Sequence, residues 1–357
     1  MAGDAGGRAG LFGLGLGLLA AGAAVGAMAE RRMMGRTPQS AAEAAGGYGS
    51  VHSPPVVVTA DDGVELYAEI DEPQPGAAYE GLTMVFCHGY ALNLDVWHHQ
   101  RLALSGAVRA VYWDQRGHGR SGRGPSGPVS IDLLGEDLAA VLRTTVPTGQ
   151  IVLVGHSMGG MTIMALAAAH PELFAGRVVG VALISTSAGH IAEITLGIPE
   201  RLAQLAHRAA PGVVATLGRS PRLVELGRRT GNDLEFLLTR VYSFASPVPA
   251  AAVDFVARLN AGTPIEVVAD FFGAFRGHDK LAALQVLRPV ATLILVGEND
   301  LLTPADHSRA MAAELPDAEL VVVEHCGHMI LLEYPDLVSR RLRELLERCL
   351  VPPVGQA

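Results

Sequence analysis

The chain has 357 residues, of which 49% are hydrophobic, so it can bury the core of one large domain or of two ordinary domains. Its formal net charge of −9 argues against nucleic-acid binding, because phosphate binding needs a basic surface and the Lys and Arg residues here are scattered. The three cysteines have no regular spacing, so neither a disulfide framework nor a metal site is expected.

The N-terminal segment, residues 1–36, contains an uncharged stretch from residue 9 to residue 29. A helix of this length spans the roughly 30 Å hydrocarbon core of a bilayer. Arg31, Arg32 and Arg36 follow the stretch, and positive charge tends to stay on the cytoplasmic side of a membrane. We therefore expect an N-terminal transmembrane helix and a single-pass membrane protein, with the remainder of the chain in the cytoplasm.

Two other interpretations of this segment stay open. Ala27-Met28-Ala29 has the pattern of small residues that a signal peptidase cuts, which would make the protein secreted. The segment could also be a disordered leader. Residues 37–54 are rich in Ala, Gly, Ser and Pro, and this composition predicts a linker.

Beyond the linker, apolar runs rich in β-branched residues alternate with helical patterns, which is typical of a mostly parallel sheet with helices on both faces. Residues 56–58 and 64–70, separated by Asp61-Asp62-Gly63, predict an antiparallel hairpin. The buried parallel strands are predicted at 83–86, 108–113, 151–154, 178–184, 292–296 and 320–323. The sheet is therefore expected to have eight strands.

The alternation stops between Ser185 and Pro289, where helical periodicity is interrupted by prolines. We interpret this region as a helical cap inserted after the sixth strand. The predicted domains are a first core part at 55–188, the cap at 189–277 and a second core part at 278–350.

A glycine-rich turn follows the strand at 151–154. Its sequence, Gly155-His156-Ser157-Met158-Gly159, leads from that strand into a helical pattern. A Gly-x-Ser-x-Gly motif between a strand and a helix is typical of a turn that exposes a nucleophilic serine. The turn must be tight enough to expose the serine oxygen, and the two glycines remove side chains that would collide there. Ser157 is therefore the candidate nucleophile.

A serine hydroxyl needs a base to take its proton and a third group to orient that base. Asp300 lies in the loop after the strand at 292–296, with Glu298 as the reserve acid. His328 lies in the loop after the last strand and is preferred to His325, which is too near the strand end. The carboxyl ends of parallel strands meet at one edge of a sheet, so these side chains are expected to converge.

With these motifs the chain resembles the α/β-hydrolase superfamily, in the capped branch of esterases, lipase-like enzymes and cofactor-free haloperoxidases. The resemblance covers about Val56 to Leu345. The matching motifs are His88-Gly89-Tyr90, Asp114 to Ser121, the serine turn, Gly297 to Pro304, and Gly327-His328-Met329 followed by Glu333 and Pro335. It implies an oxyanion hole formed by the backbone N–H groups of Tyr90 and Met158. The segment from Asp114 to Ser121 is interpreted as a structural turn below the site.

The expected activity is hydrolysis of a small carboxylic ester through a Ser-His-Asp triad and an acyl-enzyme, with no cofactor. Aromatic residues of the cap indicate an apolar or lipid-like acyl substrate; they are Tyr242, Phe244, Phe255, Phe271, Phe272 and Phe275. Perhydrolase or haloperoxidase-like chemistry, carbon–carbon bond hydrolysis, acyl transfer to an alcohol and a non-catalytic binding role stay open. The sequence indicates no oligomeric state.

Overall fold

An eight-stranded sheet forms the centre of the protein. The computed structural model describes residues 47–124, 129–189 and 232–350. The strands are β1 (Pro55–Thr59), β2 (Glu65–Asp71), β3 (Leu82–Cys87), β4 (Arg109–Trp113), β5 (Gln150–His156), β6 (Val178–Ile184), β7 (Ala291–Gly297) and β8 (Glu319–Val323). Their order is β1-β2-β4-β3-β5-β6-β7-β8. β2 pairs antiparallel with β1 and β4, and every other pair is parallel, which confirms the predicted sheet and hairpin.

Two apolar layers, one on each face of the sheet, make the core. Successive side chains of β3 point to opposite faces, so Met84 and Phe86 pack in one layer and Val85 and Cys87 in the other. The described helices are α1 (His98–Leu104), α2 (Ile131–Thr145), α3 (Met158–Ala169), α4 (Pro171–Gly176), α5 (Asn232–Ser243), α6 (Ala250–Gly262), α7 (Ile265–Arg276), α8 (Leu284–Leu287), α9 (Ala305–Glu314), α10 (Ile330–Glu333) and α11 (Pro335–Leu350). Helices α2 and α3 cover one face, and α1 and α11 cover the other.

The strand sequences account for their places in the sheet. All six residues of β3 are buried, as expected for a strand that is covered on both faces and therefore apolar throughout. β1 instead mixes buried and exposed positions, because it lies at the edge of the sheet. The carboxyl ends of β3, β5, β7 and β8 all lie along one edge, so the loops after these strands can share one site.

Between β6 and β7 the structure describes four α-helices, α5 to α8, and the first three end before residue 277. These three lie in the region predicted to be a helical cap. Residues 190–231, which belong to the same predicted cap, lie outside the described residues. The boundaries at 189 and 277 stay a prediction.

The predicted membrane location needs correction. Across residues 47–124, 129–189 and 232–350, no helix is long and apolar enough to cross a membrane. The predicted span at residues 9–29, together with most of the linker at 37–54, lies outside the described residues. We therefore withdraw the single-pass assignment, which relied on the absence of charge in one Gly- and Ala-rich stretch.

An ion triad centred on the buried Arg116 fixes the loop after β4 to the rest of the core. The Arg116 guanidinium, whose side chain is 3% exposed, donates two hydrogen bonds of 2.5 Å to Asp137 on α2. It also donates to Asp62, 2.8 Å away, in the turn between β1 and β2. Burial raises the pKa of Asp137, and the Arg116 charge only partly offsets this effect.

Replacing Arg116 with methionine should lower the free energy of unfolding by about 3–5 kcal/mol, because it leaves the buried Asp137 carboxylate without its partner. Urea denaturation measures this change. The matched control is Arg143→Met, which removes an exposed pair with Asp61 and should cost less than about 1 kcal/mol. Equal losses in the two variants would contradict the structural role of the triad.

Candidate active site

Ser157 lies at a strained turn between β5 and α3. Its backbone has φ 52° and ψ −119°, a region that residues with a Cβ rarely adopt. Two hydrogen bonds hold it there: the Ser157 N–H donates to the Ile184 carbonyl at 2.9 Å, and Thr186 Oγ1 donates to the Ser157 carbonyl at 2.6 Å. The side chain is partly exposed at the carboxyl edge of the sheet, where a nucleophile has to be.

The two glycines of the motif are required by space. A Cβ on Gly155 would lie 2.6 Å from the Gly159 carbonyl carbon, and a Cβ on Gly159 would lie 2.0 Å from the Cys87 carbonyl oxygen. Both distances are far below a van der Waals contact, so any side chain would open the turn. The close approach of α3 to β3 and β5 therefore depends on glycine at both positions.

The structure brings Asp300 and His328 into direct contact. His328 Nδ1 lies 2.8 Å from Asp300 Oδ2, and both side chains are buried. Thr303 Oγ1 also donates to Asp300 Oδ2 at 2.9 Å, while the backbone N–H groups of Leu302 and Thr303 donate to Asp300 Oδ1, each at 2.9 Å. Both carboxylate oxygens are thus fixed, and one of them faces the imidazole.

These contacts keep the Asp300 carboxyl ionised. Burial alone would raise the pKa of Asp300, but the His328 charge and the hydrogen bonds from His328 and Thr303 outweigh burial and hold the pKa below its ordinary value. An ionised carboxylate at this position favours the His328 tautomer with its proton on Nδ1. The other ring nitrogen is then free to act as a base.

The loop after β3 carries Tyr90 and is held by a buried network. The Gln115 N–H donates to His88 Nε2 at 2.9 Å, so His88 Nδ1 carries a proton and donates to the Gly89 carbonyl at 2.7 Å. Gln115 Nε2 donates to the His88 carbonyl at 2.5 Å, and Thr162 Oγ1 on α3 donates to Gln115 Oε1. Burial lowers the pKa of His88 to about 3, so the ring is neutral and its hydrogen-bond directions are fixed.

This loop lies directly against the serine turn. A Cβ on Gly89 would lie 3.2 Å from Ser157 Cβ and 2.9 Å from His156 Nδ1. The backbone N–H groups of Tyr90 and Met158 donate no hydrogen bond to any residue that the structure describes. Two available donors beside a serine are the elements of an oxyanion hole.

His156 makes a contact with the loop of His328 that the sequence did not indicate. Its Nε2 donates to the His328 carbonyl at 3.0 Å, and the two imidazole rings have centroids 4.9 Å apart. Because His156 directly precedes Ser157, this bond joins the serine turn to the loop that carries His328. Burial lowers the pKa of His156 to about 3, which keeps it neutral.

The reserve candidates lie apart from this arrangement. Glu298 and His325 are exposed.

Asp114 accepts hydrogen bonds from the Leu94 and Arg120 N–H groups at 2.7 and 2.8 Å, as a structural turn requires. Within residues 47–124, 129–189 and 232–350, no group of three or more His, Cys, Asp or Glu side chains could hold a metal ion.

The cap aromatics divide into two groups. Phe244, Phe255 and Phe271 are buried and pack in the apolar core. Tyr242 and Phe275 are half-buried, and Phe275 meets the Tyr90 ring edge-on at a centroid distance of 5.0 Å. The side chain of Phe272 lies outside the described residues.

Comparison with known proteins defines the class. Residues 83–335 match the model of the alpha/beta hydrolase fold family, and the chain therefore belongs to that family. Over 267 residues it is 28% identical to a pimeloyl-[acyl-carrier protein] methyl ester esterase of Nitrosospira multiformis, covering 72% of this chain and 91% of the relative. Over 130 residues it is 36% identical to a non-heme chloroperoxidase of Streptomyces lividans, covering 36% of this chain and 43% of that protein.

A solved esterase of Exiguobacterium antarcticum has the same fold. The TM-score is 0.65 at 20% identity, and the match covers 82% of this chain and all of the esterase. The family and its relatives support a hydrolase.

Proposed function

We propose that the protein is a serine hydrolase that cleaves carboxylic esters. The observation that carries this proposal is the Asp300–His328 contact of 2.8 Å, joined through His156 to the strained turn at Ser157. The resemblance to a methyl ester esterase of Nitrosospira multiformis supports an ester as the substrate.

In the proposed reaction Ser157 Oγ attacks the ester carbonyl while His328 Nε2 takes the hydroxyl proton. Asp300 keeps the opposite ring nitrogen protonated and stabilises the imidazolium that forms. The N–H groups of Tyr90 and Met158 donate to the negative oxygen of the tetrahedral intermediate. His328 then gives its proton to the departing alcohol, and water activated by His328 releases the acid from the acyl-serine. These steps need no cofactor.

An apolar acyl group fits the surroundings of this site. Tyr90 and Phe275 present half-buried aromatic surface next to the proposed oxyanion hole, and pockets for small molecules are lined mainly by such residues. Tyr90 Oη donates to the Val268 carbonyl on α7 at 2.6 Å, so its hydroxyl group already has a hydrogen-bond partner. The apolar part of the ring packs against Phe275.

The test is a hydrolysis screen of p-nitrophenyl esters over a series of acyl chain lengths. We expect turnover with apolar acyl chains, lower turnover with charged acyl groups, and complete inhibition by a fluorophosphonate. A protein that neither hydrolyses any member of the series nor reacts with the inhibitor would contradict the proposal.

Perhydrolysis is the second candidate, favoured by the local 36% identity to a chloroperoxidase. Here hydrogen peroxide, in place of water, would attack the acyl-serine and yield a peracid. Peracid formation from the same esters, measured against acid formation at equal peroxide concentration, separates the two reactions. Ester hydrolysis predicts that the acid remains the main product.

A further inference from the structure

Glu333 lies at the end of α10, five residues after His328, and its carboxylate connects two parts of the chain. Oε1 accepts a hydrogen bond of 2.7 Å from the Gly327 N–H, in the loop that carries His328. Oε2 accepts from the Ala245 N–H at 3.0 Å and from Ser246 N–H and Oγ, both at 2.7 Å. We call residues 243–246, which end α5 and follow it, the cap turn.

Other contacts hold the same two segments together. The Met329 N–H donates to the Ser243 carbonyl at 2.7 Å. A Cβ on Gly327 would lie 2.8 Å from the Ala245 nitrogen, so the two backbones approach too closely for a side chain. The Met329 N–H, directly after His328, is therefore held by the cap turn, and the Gly327 N–H, one residue before His328, is connected to the cap turn through Glu333.

A carboxylate suits this position because every group around it is a donor. One side chain must accept hydrogen bonds in two directions, from the His328 loop and from the cap turn, and only an ionised carboxyl group accepts at both of its oxygens. Neither the proposed triad nor the proposed oxyanion hole uses Glu333. The proposed chemistry therefore gives no role to Glu333, which belongs to the motif that follows His328.

We propose that Glu333 is a positioning residue that makes the placement of His328 depend on the seating of the cap turn. This inference rests on the proposed function. With the carboxylate in place, Asp300 holds the side chain of His328 and His156 holds its carbonyl group. Glu333 holds the N–H of Gly327, the residue before His328. Without the carboxylate, the loop that carries His328 loses the acceptor of its Gly327 N–H and its connection through Glu333 to the cap turn.

Glu333→Gln tests the proposal, because the amide turns one acceptor into a donor that faces backbone N–H groups. A displacement of about 1 Å at a reacting group can cost about 100-fold in rate, so we expect kcat to fall by about 10- to 100-fold. KM should stay within about threefold, because no substrate contact is removed. The matched control is Glu324→Gln, which removes an exposed carboxylate from the same loop and should leave kcat unchanged.

Thermal denaturation establishes that each variant is folded at the assay temperature. An unchanged kcat in Glu333→Gln, or a rise in KM at constant kcat, would overturn the positioning role. Should this variant fail to fold, Ser246→Ala provides the second test, since it removes only one donor to Glu333. We then expect a loss of about two- to fivefold in kcat at constant KM, a modest hydrogen-bond effect, and no loss would overturn the proposal.

The wild-type protein separates this inference from the proposed function. A wild type without esterase activity or fluorophosphonate labelling contradicts the proposed function itself. An active, labelled wild type together with a fully active Glu333→Gln contradicts only the role of Glu333.

Discussion

Replacing Ser157 with alanine should lower kcat on a p-nitrophenyl ester by about 10⁴- to 10⁶-fold, the size of effect seen when a triad nucleophile is removed. The substitution deletes the attacking oxygen, so no acyl-enzyme can form. It adds no atom at the turn, where φ is 52° and a Cβ is already accommodated. Stopped assays at substrate saturation measure the loss, and thermal denaturation should show an unchanged fold.

Ser185 offers a matched control for this variant. It follows β6 directly, has a positive φ of 45°, and its buried Oγ has no hydrogen-bond partner among the described residues. Ser185→Ala removes the same atom from a similar backbone conformation one strand away. Activity near the wild-type level is expected in the control, and substantial activity in Ser157→Ala would refute the assignment of the nucleophile.

Asp300→Asn should lower kcat by about 10⁴-fold, because the amide reverses the polarity of its contact with His328. The Leu302 and Thr303 N–H groups point at one oxygen of Asp300, so they retain the amide oxygen there. The amide NH₂ then faces His328 Nδ1, which must become an acceptor. His328 consequently carries its proton on Nε2, where it cannot accept one from Ser157.

The matched control is Glu298→Gln, which neutralises the exposed carboxylate at the start of the same loop. We expect that variant to keep its activity, since Glu298 lies apart from His328. The measurement is kcat with each variant at pH 7 and equal protein concentration. Loss of activity in Glu298→Gln with retention in Asp300→Asn would transfer the acid role to Glu298.

The sheet could be predicted from the sequence because its strands are short, apolar and separated by clear turns. β3 is apolar almost throughout, and in the structure all of its residues are buried. Placing the motif residues at strand ends was enough to predict that Asp300 and His328 would meet, since parallel strands end at the same edge. In the structure His328 Nδ1 lies 2.8 Å from Asp300 Oδ2, and the catalytic roles of the two residues stay a prediction.

Contacts between distant segments could not be predicted in this way. His156 meets the His328 carbonyl across 172 positions of sequence, and Glu333 meets Ser246 across 87. Such contacts depend on how loops close over the sheet edge, and hydrophobic periodicity does not encode that. The predicted membrane location was wrong for a different reason. The absence of charge in a Gly- and Ala-rich stretch is weak evidence for a helix that spans a membrane.

The most direct test of the proposed chemistry is to identify the residue that becomes acylated. The protein is mixed with a p-nitrophenyl ester, quenched in acid within the first turnovers, digested, and analysed by peptide mass spectrometry. We predict one acyl adduct, on Ser157, that disappears in Ser157→Ala and accumulates when deacylation is slow. An adduct on another residue, or turnover with no adduct under any quench condition, would contradict this prediction.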